Sequence, residues 1–177
     1  MDEAGDRETG GADPELEPRA PVEEDLVAIC RRLNALDARY LVVGGIAIIY
    51  GGYPRGTNDI DLVIATDLEN EERVYRALEI LSDRAVRELD PGDVAKYVVA
   101  RVCDEVVVDL MRSASGIEYE EAATDVVVRE VQGVQIPFAS HGLLWRMKVH
   151  TRREKDAGDL VFLREYFAAR GETPPAT

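Results

Sequence analysis

The chain has 177 residues, 46% of them hydrophobic, which suffices for one domain with its own core. No apolar run approaches the roughly 18 to 20 residues of a membrane span, and acids stand where a secretory leader would carry basic and then apolar residues; a soluble, cytoplasmic protein with no membrane association is expected. A formal net charge of −14 argues against general affinity for DNA or RNA, whose binding depends on neutralising phosphates.

Residues 1–25 hold ten acids against Arg7 and Arg19, whereas Leu143 to Arg170 holds seven basic residues against four acids. An anionic ligand therefore has one address, the C-terminal stretch. Cys30 and Cys103 lie in separate apolar stretches with no CxxC and no histidine at a ligand spacing, so buried free thiols are expected rather than a zinc site.

Residues 1–21 combine Gly, Pro and acids with few large apolar side chains, the composition of a disordered tail. Pro21 opens a helix with Glu23, Glu24 and Asp25 in its first turn and Val22, Leu26, Ile29, Leu33 and Leu36 on one face. Tyr40 to Val43 reads as a buried strand ending in Gly44-Gly45, and Ile46 to Tyr50 as a short buried helix. Turn residues from Tyr53 to Asn58 lead into a strand from Asp59 to Ala65, and a helix follows from Leu68 to Leu81 with Asp67 or Asn70 as its cap.

After the turn Asp90 to Asp93, the segments Lys96 to Cys103 and Glu105 to Met111 read as a valine-rich hairpin. A short helix is expected over 116–123, and a second strand pair over Val126 to Val131 and Val134 to Phe138, turned at Gln132-Gly133. Ser140 caps a helix running to about Arg153, and a last helix spans Asp156 to Ala168. The expected organisation is one domain over 22–170 with a short disordered tail at 171–177. Its class is α/β or α+β, a mixed sheet flanked by helices with two helices at the C-terminus.

Chemistry is concentrated in few residues. Asp59 and Asp61 are two apart, so on a strand both carboxylates leave one face. Asp109 sits inside a second apolar strand, and a carboxylate in such a strand is costly unless partnered. If the two strands are neighbours, the three converge, and oxygen ligands of this kind suit Mg²⁺ or Mn²⁺. Gly44 and Gly45 permit a tight turn and close approach of backbone amides to phosphates. His141 and His150 read as surface residues, Trp145 and Tyr166 as core or interface, and Lys155, Asp156 and Asp159 as charges at a helix start.

An apolar residue, Gly-Gly, thirteen intervening residues, Asp-apolar-Asp and a third Asp on a later strand together resemble the nucleotidyltransferase superfamily, which includes DNA polymerase beta and the aminoglycoside nucleotidyltransferases. Gly44-Gly45-Ile46-Ala47, Arg55 to Leu62, Lys148 and Lys155 to Leu160 look like its small bacterial and archaeal branch, related to AbiEii-type toxins. The resemblance covers residues 24–168 and implies a nucleotidyltransferase-like fold. It implies that Gly44 and Gly45 cradle the triphosphate of an NTP and that Asp59 and Asp61 hold metal ions. Asp109 would ligate one metal and serve or position the base.

The resemblance further implies transfer of an NMP, AMP foremost, to an acceptor hydroxyl with release of pyrophosphate. Arg55 and Thr57 match the family's Arg-x-Thr, where the arginine would meet a phosphate or orient Asp59, and Lys148 matches a lysine that approaches the nucleotide. Only three lysines accompany eighteen arginines, and Lys148 and Lys155 are two of them, which hints at a specific demand for lysine there. Competing readings are a nucleotide- or partner-binding module without turnover, and a toxin–antitoxin component acting on tRNA or protein. The acceptor, whether small molecule, tRNA or protein, is not legible. With room for only two helices after Ser140, a partner subunit or self-association is expected to complete the site.

Overall fold

The computed structural model of this chain describes residues 17–151 and 153–177. The acidic segment expected to be disordered falls, over residues 1–16, outside the described residues. Order is already present at Arg19, whose backbone N–H donates to the Glu105 carbonyl at 3.0 Å and whose guanidinium pairs with Asp25 at 2.6 Å.

Helix α1 (Glu23–Ala35) begins where Val22 N–H meets the Asp25 carboxylate at 2.8 Å, and it buries Leu26, Val27, Ile29, Cys30 and Leu33 against the sheet. Strand β1 (Tyr40–Val42) passes directly into α2 (Gly44–Tyr50), and the loop 51–58 returns the chain to β2 (Asp59–Ile64). Helix α3 (Leu68–Leu78) is capped by Asp67, which accepts from Asn70 N–H at 3.1 Å; Asn70 itself turns inward and bridges Arg39 and Ala65.

Strands β3 (Val99–Cys103) and β4 (Val107–Met111) form the expected hairpin. A two-stranded ribbon of β5 (Ser113–Ala114) and β6 (Ile117–Glu118) precedes α5 (Tyr119–Ala122). The hairpin of β7 (Val126–Val131) and β8 (Val134–Ala139) then leads into α6 (His141–Lys148), where Ser140 accepts from Leu143 N–H at 3.0 Å, and α7 (Ala157–Ala169) closes the fold.

The sheet has six strands in the order β3-β4-β2-β1-β8-β7, parallel between β2 and β4 and between β1 and β8 and antiparallel elsewhere. A mixed sheet with helices against it is the class expected from the sequence.

Three local expectations are corrected. Lys96 and Tyr97 belong to a one-turn helix α4 (Asp93–Tyr97) and not to the strand. The cause is distant: the buried carboxylate of Glu71 on α3 accepts from Gly92 N–H at 2.6 Å and Ala95 N–H at 3.0 Å, stabilising donors at a helix start that no local residue serves. Cys103 is exposed on the edge strand, because β3 has a neighbour on one side and its odd-numbered residues face out; Cys30 is buried as expected. His141 is half-buried, stacked on Tyr166 with ring centroids 3.6 Å apart and paired through Nε2 with the Gly51 carbonyl at 2.8 Å. That contact fastens α6 and α7 to the end of α2.

Candidate active site

The site follows from how β1, β2 and β4 lie together. Val43 N–H donates to the Asp61 carbonyl at 3.0 Å, so the turn after β1 is laced to β2. Gly44 then takes φ +63°, and a Cβ there would lie 1.9 Å from Asp61 Oδ2; both the conformation and the space demand glycine. At Gly45 a Cβ would stand 2.6 Å from Thr57 Oγ1 and 3.2 Å from an Arg55 nitrogen. The glycine pair thus brings bare backbone against Asp61 on β2 and against Thr57 and Arg55 in the loop before it.

Parallel pairing of β2 with β4 sets Asp61 directly beside Asp109. Asp59, Asp61 and Asp109 each present a carboxylate oxygen within 4.8 Å of the others'. Burial, followed by the charges of Asp59 and Asp109, pushes the Asp61 carboxyl up to about 6, with Lys155 and Lys148 pulling the other way. Three carboxylate oxygens this close together could hold a metal ion, and an all-oxygen donor set fits a hard divalent cation such as Mg²⁺ or Mn²⁺. The Thr57 hydroxyl donates to Asp59, with Oγ1 3.2 Å from its carbonyl and 3.3 Å from its Oδ1.

All eight residues singled out from the sequence are brought to one place, and seven of them line a cavity of about 610 Å³. Gly44, Gly45, Arg55, Thr57, Asp59, Asp61 and Lys148 form its wall; Asp109 stands beside Asp61 behind it. Met111, Ser113, Ala114, Ser115, Leu144 and Met147 make up a less polar side that no motif announced.

Lys148 and Arg55 both line the cavity and are both ion-paired to acids near the start of α7. Lys148 is 4% exposed, and its ammonium is held by Asp156 at 2.6 Å and Asp159 at 2.9 Å. Arg55 faces Asp159 and not Asp59: Nη2 donates to Oδ2 at 3.0 Å, Nε stands 2.9 Å from Oδ1 off the line of a hydrogen bond, and Nη1 donates to the Gly56 carbonyl. Burial would raise the Asp156 carboxyl, but Lys148, Thr151 and Arg153 outweigh it and hold the group down at about 2. Asp156 and Asp159 are fully buried members of this network, beyond what charges at a helix start require.

Motif and spacing do not single out Arg101. Its guanidinium grips Asp109 through both oxygens, Nε to Oδ1 at 2.8 Å and Nη2 to Oδ2 at 2.7 Å, and Nη2 lies 3.7 Å from Asp59. The signal is present in the hairpin, where a turn centred on Glu105 sets residue 101 opposite residue 109.

Solved structures with the same architecture include the lincosamide antibiotic adenylyltransferase LnuA in its lincomycin-bound form, at a TM-score of 0.53 and 15% identity over 82% of this chain and 98% of that one. The fold is that of the nucleotidyltransferases. A nucleotidyltransferase-like antigen of Paracoccidioides brasiliensis matches at 0.51 and 17% identity, over 84% and 78% of the two chains. ANT(2″)-Ia in complex with adenylyl-2″-tobramycin matches at 0.50 and 16% identity, over 83% and 92%. No family model and no curated protein sequence matches the chain.

Proposed function

We propose that this nucleotidyltransferase-fold protein transfers an NMP group, AMP foremost, from an NTP to an acceptor hydroxyl with release of pyrophosphate. The observation that carries this reading is the Asp61–Asp109 register. It gathers three carboxylates within 4.8 Å of one another beside a glycine turn, two of them in the wall of a cavity large enough for a nucleotide. Two of the structural neighbours are an adenylyltransferase and a complex with an adenylylated product, consistent with this chemistry.

Asp59, Asp61 and Asp109 would hold Mg²⁺ or Mn²⁺, which supplies charge stabilisation for the phosphoryl oxygens when bound. Gly44 and Gly45 present backbone without side chains to the phosphates, and Thr57 holds Asp59 in place. Asp109 sits closest to the edge of the sheet and orients the acceptor hydroxyl or takes its proton. Lys148 and Arg55, tied to Asp156 and Asp159, set the wall of the nucleotide pocket from behind. Lys155 and Arg153, both exposed at the rim, are cations placed to meet phosphate, and Lys155 is close enough to influence Asp61.

Purified protein incubated with Mg²⁺, α-labelled NTPs and pools of small molecules, tRNA or protein should yield labelled acceptor and pyrophosphate. Asp59→Ala and Asp61→Ala should abolish both. Nucleotide binding with no pyrophosphate from any pool would favour the binding-module reading, and neither binding nor product in the wild type would overturn the proposal. The acceptor pool that becomes labelled also decides whether a toxin–antitoxin role on tRNA or protein applies.

A further inference from the structure

Asp109 is the member of the acidic cluster whose two oxygens are both spoken for. Arg101 takes them in a parallel fork, at 2.8 and 2.7 Å, the geometry in which a guanidinium binds a carboxylate most strongly. The same guanidinium stands 3.7 Å from Asp59 and so places a full positive charge at the side of the cluster nearest the sheet edge. A divalent cation needs lone pairs on these same oxygens and is repelled by that charge.

The two partners differ in freedom. The Asp109 side chain is 10% exposed in an inner strand, whereas that of Arg101 is 57% exposed. β3 is the outer strand of the sheet, so nothing on its far side in the sheet encloses the arginine. Arg101 can therefore swing into solvent with little loss of packing, whereas the Asp109 side chain has little room to move.

We infer that Arg101 is a positioning residue that competes with the divalent cation for Asp109. With Arg101 closed on it, Asp109 is held in orientation but withheld as a ligand, and the cation has only Asp59 and Asp61. With Arg101 swung outward, all three carboxylates are open. The site therefore passes between an arginine-capped and a cation-loaded arrangement of one carboxylate, and cation affinity is set by the balance between them. This rests on the metal-site reading above and adds an internal competitor to it.

Mn²⁺ binding to the full chain, read by electron paramagnetic resonance without nucleotide, tests the inference at fixed pH and ionic strength. Arg101→Gln should bind Mn²⁺ about tenfold or more tightly than wild type, the scale expected for removing one close charge. Arg101→Lys, which keeps the charge without the fork, should fall between them and stands in should Arg101→Gln fail to fold. The sharper readout is a cycle with Asp109→Asn. That change should cost affinity in the Arg101→Gln background and little in the wild type, where the arginine already occupies Asp109. Equal losses in both backgrounds, or no gain in either Arg101 variant, would overturn the competition while leaving the metal site standing. Absence of Mn²⁺ binding in every variant would overturn both.

Discussion

Arg55 and Asp159 are 104 residues apart in sequence and meet behind the cavity, where the loop before β2 is tied to α7 at 3.0 Å. Asp159 is fully buried and also receives Lys148 at 2.9 Å, so one carboxylate neutralises cations from two other segments. Removing it leaves a nearly buried lysine and arginine short of a counter-charge. Asp159→Ala should cost roughly 3 to 5 kcal/mol of folding stability, the usual consequence of breaking a buried pair from one side. Urea unfolding monitored at Trp145 measures this, and a loss below about 1 kcal/mol would show that Lys148 and Arg55 are adequately served by Asp156 and solvent.

Gly44 and Asp61 leave no room between them. Gly44→Ala places a Cβ 1.9 Å from Asp61 Oδ2 on a backbone with φ +63°. Asp61 must rotate away, so Mn²⁺ affinity should collapse, and strain of about 1 to 3 kcal/mol should appear as a lowered denaturation midpoint. Gly56→Ala is the control, because a Cβ there meets nothing within 4 Å. Equal effects of the two changes would contradict the steric argument.

Two carboxylates give pH dependences of opposite sign. Asp61 is raised to about 6 from an ordinary value near 4, so between those values the folded state binds the extra proton and stability falls as pH rises through the window. Cation binding needs the ionised form and should weaken as pH drops below about 6. Asp156 is held at about 2, so its contribution is present above about 4 and is lost as pH falls toward 2. Comparing Asp61→Asn and Asp156→Asn with wild type in unfolding titrations from pH 2 to 7 isolates each limb. An unchanged acid limb in Asp156→Asn would refute the second assignment.

The two thiols should react very differently. Cys103 lies exposed on β3, while Cys30 is buried on α1 with its thiol pushed up to about 12 by burial. A thiol reagent at neutral pH should modify one equivalent quickly and the second only on unfolding. Because Cys103 is two residues from Arg101 on the same face of the strand, bulky modification there should also perturb Mn²⁺ binding.

The acidic cluster is legible in the amino-acid order alone because it violates a local rule. Asp59, Asp61 and Asp109 interrupt apolar strands, and such residues announce a partner even when that partner is unseen. Gly44-Gly45 is informative for the same reason, since the run from Tyr40 needs nothing so permissive unless the backbone has to turn. The ends of α1, β1, β2 and the β7–β8 hairpin are likewise written in spacing and turn residues.

The partners of those residues are not legible. Arg101 against Asp109 depends on hairpin register, Glu71 against the start of α4 spans more than twenty positions, and the pairing of Arg55 and Lys148 with Asp159 and Asp156 depends on how α7 docks. The pattern of apolar and polar residues along this chain determined a mixed sheet with three carboxylates on two strands, because helix and strand periodicity and the cost of a polar interruption are local properties. Only the tertiary structure decided which charges neutralise which. Lys148 and Arg55 became wall and Arg101 became the group at Asp109, because ion pairing is settled by distance in space, which these segments acquire only when the sheet and the C-terminal helices have closed on one another.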